Sequence, residues 1–593
     1  MDRTAEIAEQ YSVNGLAKSI GQLWDQWNSA RQGWLEEKLE TRNFLFATDT
    51  RKTSVGNLPW KNSTTLPKLT QIRDNLHANY LSAVFPNDNW LRWEAYSLAD
   101  ADQMKRTAIT AYMSNKARES NMRTTVSRLL DDYIIYGNSF GDVIWVDESW
   151  IDENTGEKHP GYVGPRLVRI APQDIVFNPT ATSFEGTPKI VRSVLTMGDL
   201  KQRLSDNPQD LHLEEAIKVA EETRQSVHTH KSEDFDKAMG FTIDGFGSLH
   251  DYYTSGTVEL LELEGSIHDP ETGRFLKDYV VTVIDRSIVL RQEQNPSWMR
   301  GGYKFHVGWR LRPDNLYAMG PLDNLVGMQY RIDHLENAKA DAVDQYIHPP
   351  KVIKGDFDEF VWGPDEEIHI DLDGAVDILR PDLSAIVNTQ QEIMAIMNYM
   401  EEFAGAPKQA MGIRTPGEKT AFEVQSLENA AGRIFQEKIT NFEINGLEKA
   451  LNSMLEISRR SMDGYDVIRV MDDDLGVEQF LNITKEDITA KGKLRPVGAR
   501  HFSAKANRIQ TLTQLANTVI WQQIQPHVSN KALAGMVEDI LDLNRFDLIK
   551  DNVSIFEQAD TQRLMNQVQE DLMAEQQMIA DEEASVESDL DQI

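Results

Sequence analysis

The stretch GPLDNLVGMQYRIDHLENAKADAVDQYIHPP, residues 320–350, decides how the rest of the chain is read. Leu325, Met328, Ile332, Leu335, Ala342 and Tyr346 recur at helical spacing, while Asp333, Asn337, Asp341 and Asp344 occupy another side. The spacing predicts a helix with one packed face and one wet face. His348-Pro349-Pro350 ends it, because proline lacks the amide donor and drives its predecessor out of helical geometry. An extended segment is expected to about Arg380. Helical spacing then returns in Ile386, Ile393, Met397 and Met400, and breaks at Phe403-Ala404-Gly405-Ala406-Pro407.

The following loop, 405–419, carries Lys408, Arg414 and Lys419 against a single acid, Glu418, in a chain whose formal charge is −33. Thr420-Ala421-Phe422-Glu423 reads as a capping box, in which hydroxyl and carboxylate satisfy the free amides of a helix start. From there Phe422, Leu427, Ile434, Ile439, Leu447, Leu451 and Leu455 keep a helical pattern that would run roughly 60 Å at about 1.5 Å per residue. Few ordinary enzyme domains need so long a helix.

With 593 residues the chain can bury several substantial cores, and 40% hydrophobic with 26% charged residues is ordinary for a soluble globular protein. It has no cysteine, hence no disulfide, zinc-thiolate site or cysteine nucleophile, as expected of a protein made in a reducing cytoplasm. Neither a signal peptide nor a membrane span is expected. So acidic a surface would repel nucleic acid, which argues against a protein that wraps DNA but not against a conduit for it.

Upstream, Leu16, Ile20, Leu23, Trp24, Trp27 and Trp34 make an amphipathic helix with an aromatic stripe, and a polar loop is expected over 48–65. A helix opens at Leu66-Pro67-Lys68-Leu69 and closes at Phe85-Pro86-Asn87-Asp88. Helices near 99–118 and 120–136 lead through Tyr136-Gly137-Asn138-Ser139 into a strand at 140–146. Further strands are expected at 167–170, 174–177, 257–264, 279–284 and 287–291, with a polar helical region at 197–240. Helical and β blocks without a repeated strand–helix unit predict an α+β fold. Asp131-Asp132 and His228-Thr229-His230 lack the spacing of a metal site, since adjacent helix residues face different ways and no third ligand stands near.

In this order, Met319-Gly320-Pro321-Leu322-Asp323, Gly405-Ala406-Pro407, Thr420-Ala421, the run from Leu66 to Trp93 and the helix–glycine–strand at 136–146 resemble the portal, or head-to-tail connector, proteins of tailed bacteriophages, most of all the short-tailed ones. The resemblance covers most of 40–505. It implies a wing over 1–319, a first stem helix at 320–347, a small β-containing clip at 348–380 and a second stem helix at 381–403. It further implies a tunnel loop at 404–419, a long wing helix with a returning β segment at 420–504, and a helical crown with an acidic tail at 505–593. Such proteins form rings, typically of twelve subunits, at one capsid vertex of the virion. They are assembled in the host cytoplasm and pass double-stranded DNA during packaging and ejection. The implied partners are the terminase, tail adaptors, and the major capsid and scaffolding proteins, with no cofactor, membrane or enzymatic activity. Lys408, Arg414 and Lys419 are then candidates for sequence-neutral phosphate contacts, with Arg331 and Lys339 as weaker channel-lining candidates. Leu325, Met328, Ile332 and Leu335 would pack stem against stem.

Two readings from other classes compete. Within 355–373 there are eight acids and no base, and Asp356, Asp358, Glu359, Asp365, Glu366 and Glu367 with Asp371 and Asp373 invite a metal-dependent nuclease, as does Asp472-Asp473-Asp474. Alternation in Glu367-Ile368-His369-Ile370-Asp371 instead favours a half-exposed strand, and with it a surface for docking partners. A non-channel capsid scaffold or adaptor is the third reading. No Walker loop, nucleophile elbow, HExxH or dinucleotide-binding glycine turn occurs.

Overall fold

The structure, a computed structural model, describes residues 15–46, 62–85, 90–96, 103–152, 158–159, 161–206, 211–229, 256–269, 273–299, 301–347, 351–354, 375–378, 383–404, 434–462, 465–472 and 477–496, with isolated positions at 156, 247–248 and 251. The chain divides into two compact units, 1–468 with 480–500, and 469–479 with 501–593. The first holds the helices and sheets that position the candidate site.

Helices α1 (Gly15–Ala30), α2 (Gln32–Phe46) and α3 (Lys68–Val84) precede strand β1 (Leu91–Ala95), and α4 (Gln103–Glu119) and α5 (Met122–Ile135) follow it. Strands β2 (Asn138–Asp147), β3 (Trp150–Ile151), β4 (Lys158–His159), β5 (Val163–Ile170), β6 (Ile175–Phe177) and β7 (Lys189–Thr196) come next. Helices α6 (Met197–Asp206) and α7 (Leu211–Thr229) separate them from β8 (Thr257–His268), β9 (Phe275–Ile284), β10 (Ile288–Gln294), β11 (Phe305–Gly308), β12 (Arg310–Arg312) and β13 (Asn315–Met319). Helix α8 (Val326–Ile347) leads through β14 (Lys351–Lys354) and β15 (Ala375–Ile378) to α9 (Leu383–Phe403). A final long helix, α10 (434–461), contains one π turn at Glu443–Leu447. Strands β16 (Tyr465–Asp472) and β17 (Val477–Thr484), the short α11 (Lys485–Ile488) and β18 (Gly492–Pro496) end the described chain.

The fold is α+β. A five-stranded antiparallel sheet runs β10-β9-β8-β7-β6, and strand alternation sorts its side chains onto two faces. Leu261, Leu263, Val281 and Val283 point to one face, where Leu16, Ile20 and Trp24 of α1 bury against them. Val258, Leu260 and Ile284 point to the other and meet Leu200 of α6 with Leu213 and Ile217 of α7. The expected aromatic helix is divided into two, so Trp24 is buried in this core and Trp27 is half-buried on α1, while Trp34 lies on α2.

A three-stranded sheet, β11-β2-β5, carries α10, whose Leu451, Met454 and Leu455 are buried. Gly137 makes the expected turn into β2 with φ +68°, a conformation that β-carbons disfavour. A side chain there would also meet the backbone of Met319 and Gly320, its β-carbon only 2.4 Å from the Gly320 nitrogen. Strand β7 is not among those expected, although Ile190, Val191, Val194 and Thr196 are β-branched; β18 is fixed by pairing with β1, roughly 400 residues away in the chain.

Candidate assembly site: the α8–α9 hairpin

Helices α8 and α9 pack as a hairpin, with β14 and β15 paired antiparallel between them in sequence. Its foot is bolted to the N-terminal helices by buried charge. Lys38 of α2 pairs with Asp323, whose Oδ2 also accepts from the Gly320 amide at 2.8 Å and so shapes the approach to α8. Lys68, at the start of α3, pairs with the buried Glu401 of α9 and donates to Gln71 Oε1 at 2.9 Å.

The polar side of α8 is wet only towards its end, at the half-buried Asp341 and the exposed Asp344, which corrects in part the reading of this side as a solvated face. Asp333 and Asn337 are buried beneath an extended strap, residues 62–66. Leu66 N donates to Asp333 Oδ1 at 3.1 Å and Thr64 N donates to Asn337 Oδ1 at 2.7 Å. Asn337 Nδ2 returns a bond to Thr64 O at 2.9 Å, so this amide behaves like one residue of a neighbouring β-strand. Asn62 donates to Asp341 Oδ1 from its backbone N at 3.1 Å and from its Nδ2 at 2.7 Å, and reaches Asp344 Oδ2 at 3.0 Å. At the other end Gln329 Nε2 donates to Leu66 O at 2.6 Å, and its Oε1 accepts from Leu69 N at 3.3 Å.

The match is geometric. Four helical residues advance about 6 Å and two extended residues about 6.7 Å, so positions 333, 337 and 341 stand opposite 66, 64 and 62. Gln329, Asp333, Asn337 and Asp341, spaced by four, form the ladder. The sequence displays that spacing, but the strap lies some 270 residues upstream in a segment that reads as a polar loop. Burial lifts the Asp333 carboxyl to about 6, against the Leu66 amide and Gln329, which both favour the charged form.

Leu325, Ile332 and Leu335 are buried within the single chain, and Met328 is half-buried. Arg331 lies on the hairpin's exposed side and bonds Glu392 of α9 through Nη2 at 2.9 Å. Lys339 Nζ bonds Glu336 at 2.6 Å and Gln390 of α9 at 2.8 Å. Both cations therefore brace the hairpin. Lys408, Arg414 and Lys419, the capping box at 420–423 and the acids Asp356, Asp358, Glu359, Asp365, Glu366 and Glu367 lie outside the described residues.

Among the described residues, α9 carries four large apolar side chains that are more than half exposed. Ile393, Met400 and Ala404 are buried on one strip. Val387 and Met394 lie ~100° to one side of that strip, and Tyr399 and Phe403 ~100° to the other, by the 3.6-residue turn. All four are between 54% and 58% exposed, and the rings of Tyr399 and Phe403 stack with centroids 6.2 Å apart. One strip therefore serves the chain's own packing and leaves two apolar flanks.

Away from the hairpin the buried charges serve the fold. Lys304 Nζ lies 2.7 Å from Glu262, 2.8 Å from Glu264 and 3.0 Å from Asp142, and although burial works against the ammonium these carboxylates hold its pKa well above the usual lysine range. Asp131 and Asp132 face different arginines, Arg73 and Arg169, as adjacent helix residues must. His306 is pushed down to about 3 by burial and is neutral, its Nε2 2.8 Å from Asn138 Oδ1. A cleft of about 680 Å³ beside the π turn is lined in part by Phe184, His306, Leu311, Ile444 and Lys449, and Lys449 is paired with Glu185 at 2.5 Å. Among the described residues no group of three or more His, Cys, Asp or Glu is placed to hold a metal ion, and no helix is long and apolar enough to cross a membrane. No protein-family model matches the chain, and no curated protein matches it.

Proposed function

We propose that the protein is the subunit of a portal-type ring, a channel at one capsid vertex through which double-stranded DNA is packaged and later ejected. The observation that supports this most is the pair of apolar flanks on α9. A head-to-tail contact needs two different complementary patches on each copy, one to give and one to receive, and it closes into a ring when the rotation allows. The buried anchors at the hairpin's foot suit a rod that must hold its angle while neighbours lean on both sides. The resemblance at 319–323, 405–407 and 420–421 supplies the kind of ring, and the charge of −33 suits a conduit to which DNA does not adhere. In this reading Lys408, Arg414 and Lys419 meet the DNA backbone, the acids of 356–373 dock terminase and then tail adaptors, and the ring seats among capsid and scaffolding proteins.

The test is particle mass with imaging of the purified full chain. A closed ring of about twelve copies with a central hole wide enough for duplex supports the reading. A monomer at every concentration and salt, or magnesium-dependent cleavage of DNA by a compact particle, refutes it. Deleting Gly405–Gly417 should spare the ring and impair DNA retention.

A further inference from the structure

The Asp333 carboxylate is buried with one oxygen occupied and one idle. Its Oδ1 accepts from Leu66 N at 3.1 Å and from Gln329 Nε2 at 2.9 Å. Its Oδ2 is buried without a hydrogen-bond partner, and so is Oγ1 of Thr65 on the strap. A charged carboxylate leaves its second oxygen desolvated and unpaired while carrying charge, which costs more than the unpaired O–H of a neutral acid that keeps Oδ1 as its acceptor. The strap, Asn62-Ser63-Thr64-Thr65-Leu66, brings no charged side chain. The charged and titratable groups on the elements around it are occupied elsewhere or are acids. Lys68 of α3 pairs with Glu401 of α9, Arg331 with Glu392, and Lys339 with Glu336, while Asp341 and Asp344 bind Asn62. His334 follows Asp333 in the chain.

We propose that Asp333 is a proton-operated latch: holding a proton it closes the ladder between residues 62–66 and α8, and on losing it the strap loosens from the helix. The sign is set by burial. The docked form binds the proton more tightly than the free strap, so docking is strongest at acid pH and weakens as pH rises through about 6. An aspartate free of its site titrates near 3.9, so the docking constant falls about tenfold per pH unit between there and 6, to a limit on the order of a hundredfold. The strap's release would free one whole side of α8. The ladder lies within one chain, so the latch stands or falls independently of the ring.

The chain has no cysteine, so Thr64→Cys, an exposed side chain whose backbone makes the ladder bonds, takes a single nitroxide label in the full-length protein. Electron spin resonance between pH 4.5 and 8 should record a mobile population that grows with a midpoint near 6. Asp333→Asn, which keeps the acceptor and cannot titrate, should flatten the curve, and His334→Gln should leave it unchanged. A mobility that is constant between pH 5 and 7 overturns the proposal even if D333N does not fold, and so does a transition that survives in D333N or vanishes in H334Q.

Discussion

A head-to-tail seam on α9 can be broken from either side, and the two breaks should complement each other. Met394→Glu spoils one flank and Phe403→Glu the other. Full burial of such a side chain contributes roughly 1.5–3 kcal/mol, and each of the four is a little over half exposed, so burying what remains contributes about 1 kcal/mol apiece. A seam that joins Val387 and Met394 of one copy to Tyr399 and Phe403 of the next is then worth about 4 kcal/mol from these residues. Losing one of these side chains removes about 1 kcal/mol, or roughly fivefold in each seam's affinity, and burying the new glutamate beside the neighbouring copy costs several kcal/mol more. Every seam of a symmetric ring suffers alike, so each variant alone should sediment as monomer at concentrations where the unmodified chain forms rings. Mixed in equal amounts, the two can make one intact seam and no more. Analytical ultracentrifugation of the mixture should therefore reveal a heterodimer and no larger species. Rings of unchanged mass in either variant, or a mixture that stays monomeric, would refute the head-to-tail seam.

Other perturbations probe the fold that carries the hairpin. Ile332→Asn puts an amide where the side chain is fully buried within one chain, and should cost about 3 kcal/mol or more, read as unfolding at lower denaturant rather than as folded monomers. Lys304→Met strips the ammonium from Glu262, Glu264 and Asp142 and should cost about 3–5 kcal/mol at pH 7. Glu264 keeps Lys189 at 3.6 Å, so the stranded group is Asp142, whose carboxyl pKa burial already pushes up. Protonating it relieves the cost, so the thermal midpoint of K304M should recover towards the unmodified value as pH falls, and a deficit independent of pH would count against the cluster's role. Gly137→Ala forces a β-carbon into the left-handed region and onto the backbone of Met319 and Gly320. It should cost about 1–2 kcal/mol from the dihedral alone and more from the clash, measured by chemical denaturation.

Read alone, the sequence is enough for the α+β class, for the α8 and α9 helices with α8 ending at Ile347, and for most strands of the five-stranded sheet. Each is written in a local period: apolar residues every three or four positions, or every second one, commit a segment to an element whatever lies elsewhere in the chain. What the polar side of a helix meets is not written there. Asp333, Asn337 and Asp341 have the same spacing whether they face water or an extended backbone, and only the fold brings Asn62, Thr64 and Leu66 across some 270 residues to meet them. In the same way, period marks Leu325, Ile332 and Leu335 as packed without saying against what. The tertiary structure buries them within the chain and, among the described residues of the hairpin, leaves Val387, Met394, Tyr399 and Phe403 of α9 and Ile347 of α8 exposed. Burial is decided by which elements compete for a face, and that competition is settled by contacts distant in sequence.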